Sequence, residues 1–427
     1  MAKGLVLEKR NCESFSQSLN SATNSMGLSL MPRLHRRIVG TVSLAAAALL
    51  AACGGGGSDD AATSSTPLSA QAALGEKIFK DASLSASGRQ SCASCHVGDA
   101  GHAPDNALAA QFGGADLGLQ GVRLAPAIGY LSSNTAFHFD GEGTPTGGFF
   151  WDGRSASLAA QAGEPFLNPL EMAMPSKAAV VARLAQASYA ADFKRVFGDD
   201  ILTRPDDAYE RLKLALQAYQ KEDADFRPFS SKYDEFLRGK ATLNTQELRG
   251  LALFNDPLKG NCAGCHPSAK GSDGSHPLFT DFTYDNLGLP RNAELQANAD
   301  PAYFDLGLCA RAGGDLATRT DLCGAFKVPS LRNVALRKAL FHNGVFKTLK
   351  DALTFYVQRD TNPEKFYPRK SDGSIDKFND LPAAYKANVN TTEVPYNRLP
   401  GDAPALSDAE IDDLIAFLAT LTDGWQP

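Results

Sequence analysis

The sequence predicts a mainly α-helical protein with two similar domains and long loops. Three observations predict this. A Cys-x-x-Cys-His pentapeptide occurs twice, a related apolar heptapeptide precedes each copy, and the C-terminus carries an amphipathic helix with its own start signal. Strand-like alternation is scarce. The 427 residues are 43% hydrophobic and 21% charged, with 24 Phe, which supplies ample core and argues against bulk disorder. A formal charge of −6 excludes a broadly basic, nucleic-acid-binding surface. Eight Cys are too few for a disulfide scaffold, so their spacing carries the information.

Residues 1–52 read as a targeting segment. Arg33, Arg36 and Arg37 precede an uncharged run from Ile38 to Ala52. Its 15 residues fall short of the roughly 20 a membrane span needs, and suit the core of a signal peptide. The run ends in Leu50-Ala51-Ala52-Cys53, which resembles a bacterial lipobox whose Cys is lipidated. A plain secretory signal with an incidental Cys is the alternative. Met31 is a second candidate start, in which case Cys12 is never translated. Cleavage before Cys53 removes six basic and two acidic residues and leaves a net charge of −10. Such an acidic body suits a partner with a basic docking patch. Residues 53–70, rich in Gly, Ser, Ala and Thr, read as a flexible tether. The expected location is the periplasm, with the only membrane attachment a lipid on Cys53, anchored to the outer membrane.

The two domains are placed at 71–235 and 236–427. Each holds one copy of the motif: Cys92-Ala93-Ser94-Cys95-His96 and Cys262-Ala263-Gly264-Cys265-His266. This spacing is the attachment site of a c-type haem, in which two thiols add to the vinyl groups and the His ligates the iron. A zinc knuckle needs further Cys or His nearby, and a redox CxxC leaves both His unexplained. Two covalent haems are therefore expected, held by Cys92, Cys95 and His96, and by Cys262, Cys265 and His266. The heptapeptides Ala73–Phe79 and Leu248–Phe254 have apolar residues at helical spacing, as the first helix of a cytochrome c domain would. At the other end, Ser407 and Glu410 form a capping box ahead of the stripe Ile411, Leu414, Ile415, Leu418 and Leu421. Cys309 and Cys323, with no His beside them, read as a structural disulfide in an oxidising compartment.

Methionine is informative by its absence. The five Met are Met1, Met26, Met31, Met172 and Met174, so the second domain has none. Its iron is five-coordinate or uses another ligand, with His276, His342 and Tyr356 as candidates. Lys or a residue from the other domain is also open, and the absence argues against an ordinary His/Met electron-transfer centre there.

These motifs, in this order, resemble the bacterial di-haem cytochrome c peroxidases, and more closely their MauG or MbnH-like branch. The resemblance runs from about Leu74 to Leu421. It is carried also by Phe150-Trp151-Asp152-Gly153-Arg154, Asn168-Pro169-Leu170-Glu171-Met172, Val328-Pro329-Ser330-Leu331-Arg332-Asn333 and Phe341-His342-Asn343-Gly344. It implies an enzyme that uses H2O2 to form high-valent haem iron and oxidises a partner protein. By the same resemblance, Glu171 is the acid/base for peroxide and Gln161 and Pro165 are neighbours in its pocket. Trp151 is the stepping stone between haems, and Tyr356 is the second iron's axial ligand. A phenolate there suits storage of oxidising equivalents. The alternatives are a cytochrome c peroxidase fed by a small cytochrome or cupredoxin, and a non-enzymatic electron carrier.

Two departures from the family pattern stand out. Arg123-Leu124-Ala125-Pro126-Ala127 has Leu124 where family members use an Asn to bind calcium between the haems. Leu offers no hard oxygen ligand, although backbone carbonyls, including those of Arg337 and Ala339, leave calcium open. The family's removable distal His is not matched either, and His102 and His138 read as structural or surface residues.

Overall fold

The computed structural model describes residues 67–427. The targeting segment, Cys12, Cys53 and nearly all of the tether lie outside the described residues. Ser69 and Ala70, read above as tether, already belong to the fold. Ser69 caps the first helix by accepting from Ala72 N at 3.1 Å, and its N and Oγ donate to Glu222 at 2.8 and 2.9 Å.

Among the described residues the α-helices are α1 (Ala70–Lys80), α2 (Cys92–Cys95), α3 (Leu158–Leu167), α4 (Lys177–Leu184), α5 (Ala190–Phe197) and α6 (Pro205–Glu222), then α7 (Lys232–Leu237), α8 (Thr245–Asn255), α9 (Leu349–Gln358) and α10 (Asp408–Ala419). Long loops and 3-10 turns join them. Strand is confined to three antiparallel pairs of two residues each: Phe112–Gly113 with Leu119–Gln120, His138–Phe139 with Pro145–Thr146, and Tyr284–Asp285 with Phe326–Lys327. The protein is mainly α-helical. No helix of the described residues is long and apolar enough to cross a membrane.

Two large apolar cores form. One draws on residues 74–226, with Leu74, Ile78, Phe193, Leu212 and Leu216 at its centre. The other draws on residues 233–421 and is built around Phe254, Phe279, Ile411, Leu414 and Phe417. Both are closed by the same device. In the first, α1 packs on α6 at Gly75, where a Cβ would stand 2.0 Å from the Ala215 carbonyl oxygen. In the second, α8 packs on α10 at Gly250, where a Cβ would stand 2.1 Å from the Asp413 carbonyl oxygen. The paired heptapeptides are thus the helices that cross closely enough to exclude any side chain.

The last helix is built as its sequence suggests. Glu410 N donates to Ser407 Oγ at 3.3 Å, and Ser407 N donates back to Glu410 Oε2 at 2.8 Å. Ile411, Leu414, Leu418 and Leu421 are buried, with Ile415 half-buried. Beside the glycine crossing, Arg249 Nε and Nη2 donate to the Asp413 carboxylate at 2.7 and 2.8 Å. Gly250→Ala should push α8 from α10 and cost about 1–3 kcal/mol, the usual penalty of overpacking. Denaturant unfolding of the haem-loaded protein measures it, and an unchanged midpoint would show that the crossing is soft. Cys309 and Cys323 form the expected disulfide.

Candidate functional site: two cavities and a shared wall

Each Cys-x-x-Cys-His motif folds into a tight turn just after a glycine-crossed helix. His96 N donates to Cys92 O at 3.0 Å, and His266 N donates to Cys262 O at 2.8 Å. One cavity is lined by Cys92, Cys95 and His96, and a second by Cys262, Cys265 and His266. None of the four thiols is engaged in a disulfide. In both motifs the His Nδ1–H donates to a main-chain carbonyl, His96 to His102 at 3.2 Å and His266 to Phe279 at 2.7 Å. That bond fixes the tautomer and leaves Nε2 as the basic nitrogen, the usual support of a metal-ligating His. Burial lowers the pKa of both imidazoles, that of His96 to about 4, so both are neutral. Each donor set therefore fits a covalently attached haem: two thiols for the vinyl groups and one neutral imidazole for the iron.

The first cavity brings the predicted peroxide residues together. Gln161, Pro165 and Glu171 all line it. Gln161 and Pro165 come from α3, where Pro165 sits inside the helix. Proline has no N–H for the carbonyl one turn earlier, that of Gln161. Glu171 lies in the turn that follows, fixed by its N–H to Asn168 O at 3.0 Å. Asn168 Nδ2 donates to Glu171 Oε1 at 2.8 Å. Burial raises the Glu171 carboxyl above its ordinary 4.5, against the opposing pull of Arg154 and Asn168. A buried carboxyl whose pKa is raised holds its proton more readily and can take and return one within one turnover.

The second cavity is lined by Tyr356, from α9. Burial pushes its phenol upward, and the neighbouring ring of Tyr396 stands 6.0 Å away at an interplanar angle of 30°. Of the other ligand candidates, His342 also lines this cavity, but its ring lies flat on Phe326 at 3.4 Å. His276 does not reach it and pairs with Asp234 at 2.7 Å. His102 is structural: it stacks on Phe226 at 3.9 Å and its carbonyl supports His96. His138 is exposed.

Trp151 stands in the wall. It lines both cavities, as do Leu124, Pro126 and Phe150. Its Nε1–H donates to Leu124 O at 2.7 Å, which fixes the ring. Its neighbours explain the motif around it. Asp152 accepts from Arg123 Nη1 at 2.6 Å and from Arg154 Nη1 at 3.1 Å. Burial alone would raise the Asp152 carboxyl, but the two guanidiniums hold it below the usual range. Gly153 has φ +66°, and a Cβ there would fall 2.0 Å from the Tyr284 hydroxyl.

Comparison with known proteins shows the family. Residues 69–242 match the family described as di-haem cytochrome c peroxidase. The methylamine utilization protein MauG of Paracoccus denitrificans is 38% identical over 365 residues, covering 83% of this chain and 89% of MauG. The chain belongs to the di-haem cytochrome c peroxidase family. The cytochrome c551 peroxidase of Nitrosomonas europaea is 33% identical, covering 67% of this chain and 73% of its own. Among solved structures, the di-haem peroxidase BthA of Burkholderia thailandensis is 41% identical with a TM-score of 0.77, covering 84% of this chain and 87% of that one.

As a member of this family the protein is a di-haem oxidoreductase, and the family implies two c-type haems. The structure also assembles residues of this peroxidase that sequence reasoning left without a role. Arg154 lines the first cavity and stacks over Phe150 at 3.6 Å, with its Nε on Glu164 at 2.7 Å. Tyr396 lines the second, beneath the Arg359 guanidinium at 4.4 Å. Arg154 lay in plain view inside the Phe150–Arg154 motif. Tyr396 had no local signal, because only the fold brings it to Tyr356.

Proposed function

We propose that this di-haem peroxidase reduces H2O2 in the first cavity and draws the electrons, by way of the second, from a side chain of a partner protein, as its resemblance to MauG implies. The observation that carries this is Tyr356 in the second cavity of a domain without methionine. The haems supply the iron at which peroxide is reduced and the redox levels that hold its oxidising equivalents. Glu171 takes a proton from the near oxygen of peroxide and returns it to the leaving one, so that two electrons and two protons in all yield two waters. Gln161 offers its amide to the bound oxygens, and Pro165 fills the apolar side of the pocket. Trp151 passes electrons through the wall, and Tyr356 would hold the second iron through its phenol oxygen. Export through the N-terminal segment, with a lipid on Cys53, belongs to the same reading and sets the partner outside the cytoplasm.

Tyr356→Phe tests this. Haem attachment, which depends on Cys262 and Cys265, should survive, while the optical and electron paramagnetic resonance spectra of the second ferric haem change. Spectra identical to wild type would remove Tyr356 as a ligand and point to His342. The other reading, a peroxidase fed by a small cytochrome, is separated by mixing fully oxidised protein with stoichiometric H2O2. Spectral change at both haems supports oxidation of a partner protein. An oxidised protein that stays inert until one haem is reduced supports the small-cytochrome reading. The relatives are named peroxidases and MauG, so an electron carrier without catalysis is not favoured.

A further inference from the structure

The wall between the cavities contains a positive charge without a carboxylate partner. Arg337 follows the 3-10 turn Val334–Leu336 and lines the second cavity, and its charge is felt at His96 in the first. Its Nη2 donates to Ala125 O at 3.2 Å. No ion pair reaches it among the described residues. Other enclosed arginines are matched: Arg123 with Asp152 and Asp305, Arg311 with Asp315, Arg332 with Asp234, Arg359 with Asp360. Burial lowers the Arg337 guanidinium only to about 10, so it keeps its charge at neutral pH. A fixed guanidinium facing a cavity calls for an anion, and its planar fork matches a carboxylate. A haem brings two, on its propionate side chains.

The same wall is unsuited to calcium. Leu124 is buried and apolar where an oxygen ligand would be needed. Two carbonyls of that segment already accept hydrogen bonds, Leu124 O from Trp151 and Ala125 O from Arg337. A divalent cation placed near Ala125 O would also face the Arg337 charge, with a repulsion strengthened by the low local dielectric.

We propose that Arg337 is the resident cation of the wall: its guanidinium binds a haem propionate and stands in place of a divalent metal between the haems. Haem-loaded protein tests this by two independent measurements. After exhaustive chelation, calcium chloride added to wild type should give no calorimetric binding and no change in either haem spectrum. Stoichiometric binding with a spectral response would overturn the proposal. Spectroelectrochemistry of Arg337→Leu should show the midpoint potential of at least one haem shifted downward, because a nearby positive charge favours the reduced, more negative haem. Arg337→Lys keeps the charge and should hold the potential closer to wild type. Potentials of Arg337→Leu that match wild type would show that no haem carboxylate depends on Arg337. If Arg337→Leu fails to load haem, Arg337→Gln takes its place in the same measurement with the same outcomes, and the calcium titration of wild type stands independently.

Discussion

Glu171→Gln should slow the reaction of the protein with H2O2 by roughly 10²–10⁴-fold, the usual contribution of a positioned acid–base group. The amide keeps the size of the side chain and can still bond to Asn168, which now donates at 2.8 Å. It loses only the capacity to accept a proton. Both haems should remain attached, since attachment depends on the cysteines of the two motifs and not on Glu171. Stopped-flow absorption with H2O2 reads the rate, and a rate equal to wild type would shift attention to Gln161 or Arg154. The pH profile carries a second signature. Burial raises the Glu171 carboxyl, so the base is lost by protonation as pH falls through a value above 4.5. Wild-type rates should drop on acidification through that value, and Glu171→Gln should flatten this limb.

Trp151→Phe should separate the two cavities in time. The absorption change at the first haem should follow peroxide as in wild type. The change at the second haem should lag by about tenfold or more, as a barrier raised by roughly 1.4 kcal/mol would give. Phe lacks the N–H that Leu124 O accepts at 2.7 Å, so the variant also loses about 1–3 kcal/mol of stability from an unsatisfied buried carbonyl. Comparing rates at a temperature where both proteins are fully folded keeps the two effects apart. Equal timing at both haems in the variant would mean that electrons cross the wall elsewhere, with His342 and Phe326 the next residues to replace.

How far the sequence reaches depends on the distance over which each feature is encoded. The haem motifs, the Ser407–Glu410 box and the stripe after it are local, and each is legible within a few residues. The Cys309–Cys323 bridge spans 14 positions and follows from compartment and elimination. Gly75 and Gly250 are visible in the repeated heptapeptides, yet their purpose depends on partners more than 130 residues away, at Ala215 and Asp413. Tyr396 and Arg337 are the harder cases. Nothing adjacent marks Tyr396, and Arg337 stands out in the sequence only for its carbonyl; both side chains acquire meaning only when the chain has closed around the second cavity. The resemblance to a family supplied Glu171, Gln161 and Pro165, which physical pattern alone would have left as ordinary helix and turn residues, and it chose Tyr356 among the three candidates that the missing Met had raised.

The indole bond of Trp151 bears on what kind of traffic the wall admits. An indole that gives up an electron becomes a strong acid at its N–H. Here that N–H points to the carbonyl of Leu124, an acceptor with no useful basicity, rather than to a carboxylate. If Trp151 is the relay, the proton stays while the charge passes. The wall then behaves as a wire and not as a proton-coupled switch: the crossing is reversible and indifferent to pH. The same stopped-flow traces recorded in heavy water would show it as an unaltered lag between the two haems. Proton management is left entirely to the first cavity, where Glu171 sits.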